Sequence, residues 1–173
     1  MRQQQITKQF TELYTSESDA LFRYCLFRMS DREQVKDIVQ EAFMRIWDIL
    51  AKDTSEIKNP RALLFKITSN LVIDWYRKKK AVSLDSLMES SESDHGLQIA
   101  DESFEQIEIQ SEGKMFLKSI STLDRTYQQV VYLRYVEDMS PKEIAEVTGL
   151  SVNVVSVRIS RGMEILKKKY EIS

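Results

Sequence analysis

The chain has little to turn with: four glycines and two prolines in 173 residues. Tight reversals draw on those two residue types, so a chain this poor in them is expected to fold as helix, in the all-α class. Its length suits one medium domain or two small ones. Apolar runs such as Ala62-Leu63-Leu64-Phe65 are only a few residues long, which excludes a membrane-spanning helix. The start, Met1-Arg2-Gln3-Gln4-Gln5, is polar and leads into no signal-peptide core. A single cysteine, Cys25, forms no internal disulfide and fits the reducing cytoplasm, the expected location.

Charge divides the chain in three. Residues 1–80 carry 15 Lys/Arg against 11 Asp/Glu, and residues 113–173 carry 10 against 7. Between them, residues 81–112 hold nine acids and neither Lys nor Arg. This middle stretch is rich in serine (Ser83, Ser86, Ser90, Ser91, Ser93) and too polar to offset its ordering entropy by burial. The reading is two small helical domains, 1–80 and 113–173, joined by a flexible acidic linker, 81–112. Two cationic blocks around an anionic strap say more about partners than about fold.

In the first block, Phe10, Leu13 and Tyr14 fall at helical spacing, and so do Leu21, Tyr24 and Cys25. Ser16-Glu17-Ser18-Asp19 between them supplies residues to end one helix and cap the next. Cys25 has no His or Cys companion and reads as a core thiol. A helix from Ser30 or Asp31 to about Leu50 buries Val35, Ile38, Val39, Ala42, Ile46, Ile49 and Leu50. Its other face carries Asp37, Gln40, Glu41, Met44 and Asp48, flanked by Phe43 and Trp47, and is either a solvated face or a docking surface. A third helix starts with Asn59 as cap and Pro60 at its first position, and runs to about Lys80 with Leu64, Ile67, Leu71 and Trp75 buried. Lys66, Asn70, Asp74, Arg77 and Lys78 share its polar side. The closing Arg77-Lys78-Lys79-Lys80 either complements the helix dipole or, with Trp75 and Tyr76 beside it, suits single-stranded nucleic acid, whose bases stack on rings while cations hold phosphates.

In the second block, Leu123 to Tyr135 reads as a helix. Ser140-Pro141-Lys142-Glu143 forms a capping box for the next one, which Gly149 ends, and Ser151 caps a last helix with Val155, Ile159, Met163 and Leu166 inward. A short helix, a glycine turn and a second helix make a helix-turn-helix; a helical hairpin without a ligand is the plainer alternative. In a DNA-binding version the outward residues early in the second helix meet base edges: Asn153, Ser156, Val157, Ser160 and Arg161. Arg161 suits bidentate reading of guanine and Val157 a thymine methyl, while Arg158 and Lys167-Lys168-Lys169 suit phosphates.

Taken together the chain resembles a bacterial RNA polymerase sigma factor of the extracytoplasmic-function (ECF) type in the sigma-70 family, over about residues 10–80 and 114–169. Asp37-Ile38-Val39-Gln40-Glu41-Ala42-Phe43 resembles the core-polymerase-binding segment. Asn59-Pro60-Arg61, with Asn70 through Lys78, resembles the −10-reading helix. Tyr132-Leu133-Arg134-Tyr135-Val136-Glu137 and Ile144-Ala145-Glu146-Val147-Thr148-Gly149 resemble region four, which reads the −35 element. Some positions depart from the family pattern: Asp124-Arg125 where many members have prolines, Asp138 where glycine is common, and Ser156 where a basic residue is common. Asp138 is expected to hold its turn because Asp tolerates positive φ.

The resemblance implies roles. Asp37, Gln40, Glu41, Met44 and Asp48 would face core polymerase; Arg61, Lys66, Asn70, Asp74, Trp75, Arg77 and Lys78 would meet the −10 non-template strand. The loop at about Lys52 to Lys58 would hold a flipped base. Asn153, Ser156, Val157, Arg158, Ser160 and Arg161 would meet −35 DNA. The acidic linker would lie in polymerase channels that later hold nucleic acid, its carboxylates standing in for phosphates. Partners are then core RNA polymerase and promoter DNA; an anti-sigma factor is common in the family, though no residue here demands one. No enzymatic step, cofactor or metal is expected: there is no phosphate loop, and His95, the one histidine, sits in the linker. The rival readings are a one-component helix-turn-helix regulator that binds duplex DNA without polymerase, and a helical adaptor protein that needs none of the basic clusters.

Overall fold

The computed structural model describes residues 1–52, 57–86 and 111–170, and their regular structure is entirely helical. The linker's centre with His95, and residues 53–56 of the expected base-holding loop, lie outside the described residues. The chain divides into two compact units, Met1–Ser91 and Glu92–Ser173. Helices α1 (Arg2–Arg28), α2 (Arg32–Lys52) and α3 (Pro60–Ser86) belong to the first; α4 (Ser111–Ser121), α5 (Arg125–Tyr135), α6 (Pro141–Thr148) and α7 (Val152–Lys169) belong to the second.

Among the described residues, the first unit is a bundle of the three helices α1, α2 and α3. Leu21, Tyr24 and Cys25 of α1, Val35, Ala42 and Ile46 of α2, and Leu64, Phe65 and Val72 of α3 are fully buried. Each large aliphatic or aromatic among them contributes about 1.5–3 kcal/mol of transfer free energy. Two of the expected helix starts are realised in side-chain caps. Asp31 Oδ1 accepts from the Glu33 and Gln34 amides at 3.1 and 3.3 Å, and Asn59 Oδ1 accepts from the Ala62 amide at 3.0 Å. Contacts from Glu17 to Arg61 and from Arg28 to Ser69 advance the same way along both helices, so α1 and α3 run parallel.

Three boundaries differ from the sequence reading. The expected break at residues 16–19 is absent, and α1 is continuous. Ser16 and Ser18 turn their hydroxyls back onto the carbonyls of Leu13 and Tyr14 instead of capping a new helix. Helix α3 passes Lys80 and ends at Ser86, because residues 81–86 include no glycine or proline to stop it. Leu123 lies before α5, which begins at Arg125 after Asp124 in extended geometry, while Ser111–Ser121 adds a helix that had not been read. Along α3, Leu64 and Leu71 are buried as expected, but Ile67 and Trp75 are only half-buried.

In the second unit, Leu117, Ile120, Val131, Tyr132, Leu133, Met139, Ile144 and Val155 form the core. Asp138 holds the turn before α6 at φ 54°, and Gly149 ends α6 at φ 76°. The capping box is complete: Ser140 Oγ accepts from the Glu143 amide and Glu143 Oε1 from the Ser140 amide, both at 3.2 Å. Ser151 Oγ likewise accepts from the Val154 amide at 3.2 Å and starts α7. Tyr132 Oη donates to the buried Glu137 carboxylate at 2.9 Å, and Arg134 donates to the Met139 carbonyl at 3.1 Å. Those bonds and caps fix how α6 and α7 leave α5.

Candidate nucleic-acid and partner interfaces

On the first unit, α1 and α2 enclose an open groove of about 590 Å³. Gln40, Met44 and Asp48 line it, with Met44 57% exposed, whereas the exposed Asp37 and the half-buried Glu41 lie outside its lining. Glu41 is paired within its own helix to Arg45 at 2.9 Å. The opposite wall is aromatic and comes from α1: Tyr14 lies 4.8 Å from Phe43, and Phe10 lies 5.1 Å from Trp47. The sequence spacing sets Phe10 and Tyr14 on one helical stripe without assigning them a surface. Their i, i+4 spacing matches that of Phe43 and Trp47, and this pairing was the available signal. A groove lined by aromatic rings and an exposed methionine, with one cation (Lys36) and one carboxylate (Asp48) among its lining residues, suits the apolar face of a partner helix.

Along α3, Lys66, Asn70, Asp74, Arg77 and Lys78 are exposed, the first four following one stripe. Trp75 is half-buried, edge-on to Tyr76 at 4.8 Å, and Lys79 Nζ stands 4.9 Å from the Trp75 ring centroid. Arg77 and Asp74 approach to 3.9 Å while both stay solvated, so the pair is worth little. Arg61 is set apart from this stripe: its Nε donates to Glu17 Oε2 at 3.0 Å. Because α3 runs on to Ser86, Arg77 to Lys80 do not occupy its last turn. The dipole effect fades within one turn and does not account for them.

On the second unit, Asn153, Ser156, Val157, Ser160 and Arg161 are exposed and share one face of α7, while Arg158 is half-buried off it. Val152 and Val154 are also exposed there; no spacing signal marked them. Lys167, Lys168 and Lys169 are exposed in the last turn of α7. Among the described residues no group of His, Cys, Asp and Glu gathers as a metal site, and no helix is long and apolar enough to cross a membrane.

A helical bundle with a basic, aromatic-flanked stripe and a helix-turn-helix unit with an exposed second helix define a two-part nucleic-acid-binding protein. Known proteins narrow that class. Residues 13–82 match the family described as Sigma-70 region 2, and residues 114–166 match Sigma-70, region 4. The ECF RNA polymerase sigma factor SigW of Bacillus subtilis (strain 168) is 27% identical over 169 residues, covering 92% of this chain and 88% of the relative. SigM of the same organism is 28% identical over 162 residues, covering 92% and 93%. The sigma factor RpoE from Bartonella quintana, solved in complex with the anti-sigma factor NepR, superposes with a TM-score of 0.69 at 21% identity, covering 96% of this chain and 99% of that one. The chain belongs to the sigma-70 family, as a sigma factor of the ECF type that directs promoter-specific transcription initiation.

Proposed function

We propose that three surfaces divide the work of initiation. The α2 face with Asp37, Gln40, Glu41, Met44 and Asp48 docks on core RNA polymerase. The α3 stripe with Lys66, Asn70, Asp74, Trp75, Arg77 and Lys78 captures the unpaired −10 strand. The α7 face with Asn153, Ser156, Val157, Ser160 and Arg161 reads duplex −35 DNA, with Arg158 and the terminal lysines on phosphates. Residues 1–80 and 113–173 act as the two binding domains, and the acidic residues 81–112 connect them. The chain acts by binding alone, in the cytoplasm, and strand opening draws on binding energy without a catalytic step of its own.

The observation that carries this reading is the place of Arg77 to Lys80. They sit inside a helix, beside Trp75 and under no demand from its dipole, which is the arrangement that holds phosphates while rings stack bases. An anti-sigma factor is a further proposed partner, as NepR is for RpoE. The test is core-dependent open-complex formation: protein, bacterial core polymerase and a promoter library are mixed, and the bound, melted DNA is sequenced. Enrichment of one bipartite motif only when both proteins are present is expected. Duplex binding by the chain alone, unchanged by polymerase, would refute the reading in favour of a one-component regulator.

A further inference from the structure

The polar residues of α1 serve none of the three surfaces, yet two of them reach α3. Glu17 and Arg28 lie about three turns apart and hence on one face of α1. Glu17 Oε2 accepts from Arg61 Nε at 3.0 Å, with the two side chains only 13% and 27% exposed. The Arg61 guanidinium also stands over the Phe65 ring, 5.5 Å from its centroid. Further along, Arg28 Nη1 donates to Tyr24 Oη at 2.9 Å and to the buried Ser69 Oγ at 3.0 Å, and the Arg28 carbonyl accepts from Tyr76 Oη at 2.6 Å. Arg61, Ser69 and Tyr76 bracket the stripe that carries Asn70 and Asp74. Apolar contacts are non-directional and tolerate small rotations of a helix about its own axis. Hydrogen bonds have direction, and ties at two heights fix both rotation and sliding.

We propose that α1 is the positioning element for strand capture, with Glu17 and Arg28 fixing the rotation in which α3 presents Asn70, Trp75 and Arg77. This rests on the assignment of α3 to the unpaired −10 strand. Neither positioning residue touches DNA, and Arg61 serves the tie to Glu17: moving it to the strand would leave a nearly buried carboxylate without its partner.

The test uses the full chain with core polymerase and a labelled single strand carrying the −10 sequence recovered from the library. The variants are Glu17→Gln, Tyr76→Phe, and the exchange of Glu17→Arg with Arg61→Glu. Core affinity, strand affinity of the assembled holoenzyme, and thermal unfolding are measured, the binding well below the unfolding transition. The expected result is a loss of about tenfold in strand affinity for each single variant, the scale of misplaced contacts. Core affinity should stay within about twofold, as for distant sites, and the exchanged pair should recover most of the strand affinity. Wild-type holoenzyme that fails to hold the strand refutes the assignment of α3 itself. A wild type that holds it while Glu17→Gln and Tyr76→Phe hold it equally well refutes only the positioning role. Parallel loss of core and strand affinity also refutes it, because the ties then merely hold the bundle together. An exchanged pair that folds and binds core but stays strand-defective returns Arg61 to the DNA contacts and removes Glu17 from the proposal.

Discussion

Cys25 shows how far burial alone shapes a single group. It is fully buried, and burial pushes its thiol from the ordinary 9.0 up to about 12, with the Arg28 cation working weakly the other way. The folded state therefore holds the thiol proton more tightly than the unfolded state does. The associated stability is fully present below pH 9.0 and is lost as pH rises toward about 12. Both tryptophans, Trp47 and Trp75, lie in the first unit, so fluorescence-monitored urea unfolding reads that unit alone. Between about pH 9 and 12, wild type should lose stability more steeply with rising pH than Cys25→Ala does. Equal alkaline slopes in the two proteins would show that the thiol does not carry the effect. At two turns, by contrast, the residue was enough to read the backbone. Gly149 takes φ 76° and Asp138 takes φ 54°, as a residue without Cβ and a short polar one can.

At the scale of the element, the crossing of α5 and α7 depends on Gly162. A Cβ there would stand 2.7 Å from Val131 Cγ2 and 3.2 Å from Tyr127 Cβ. Ala gains about 1 kcal/mol of helix propensity over Gly, but overpacking a tight site costs about 1–3 kcal/mol. With packed side chains as the obstacle, the cost wins. Gly162→Ala should destabilise the second unit by about 1 kcal/mol. Faster amide exchange throughout α5 and α7, with unchanged tryptophan unfolding of the first unit, is the expected signature; protection equal to wild type would contradict it. The sequence reading found Met163 on this inner side and missed Gly162, because an apolar stripe marks filled volume and a close approach is marked by its absence. The same limit explains the other errors. Caps at Asp31, Asn59, Ser140 and Ser151 were legible because capping is local. The continuity of α1 was not, since Ser16 and Ser18 serve equally as caps or as hydroxyls bonded back into a helix. The place of Phe10 and Tyr14 in the groove was not legible, because spacing gives a face but not what covers it. The exposure of Lys66, Asn70, Asp74, Arg77 and Lys78 on α3 was legible, whereas the half-burial of Trp75 and the tie of Arg61 to Glu17, which joins residues far apart in sequence, needed the fold.

Across the whole molecule, the charge layout bears on how the free protein treats DNA. Residues 1–80 carry an excess of four positive charges and residues 113–173 an excess of three, yet the nine acids between them bring the formal total to −2. Non-specific DNA binding depends on phosphate neutralisation and counterion release, so a covalently attached anionic segment competes with DNA for the same lysines and arginines. Its local concentration is set by the chain connecting it and not by dilution. Replacing Asp85, Glu89, Glu92, Asp94, Asp101, Glu102, Glu105, Glu108 and Glu112 by their amides raises the formal net charge from −2 to +7. The amide variant, without polymerase, should bind a random duplex about tenfold more tightly near 0.05 M salt, with a steeper fall of log affinity against log salt. The advantage should vanish near about 0.5 M, where screening is short-ranged. Fluorescence anisotropy of a labelled duplex across that salt series gives both quantities. An unchanged slope would mean that the acids do not compete for the cationic faces, and would confine their role to the polymerase channels.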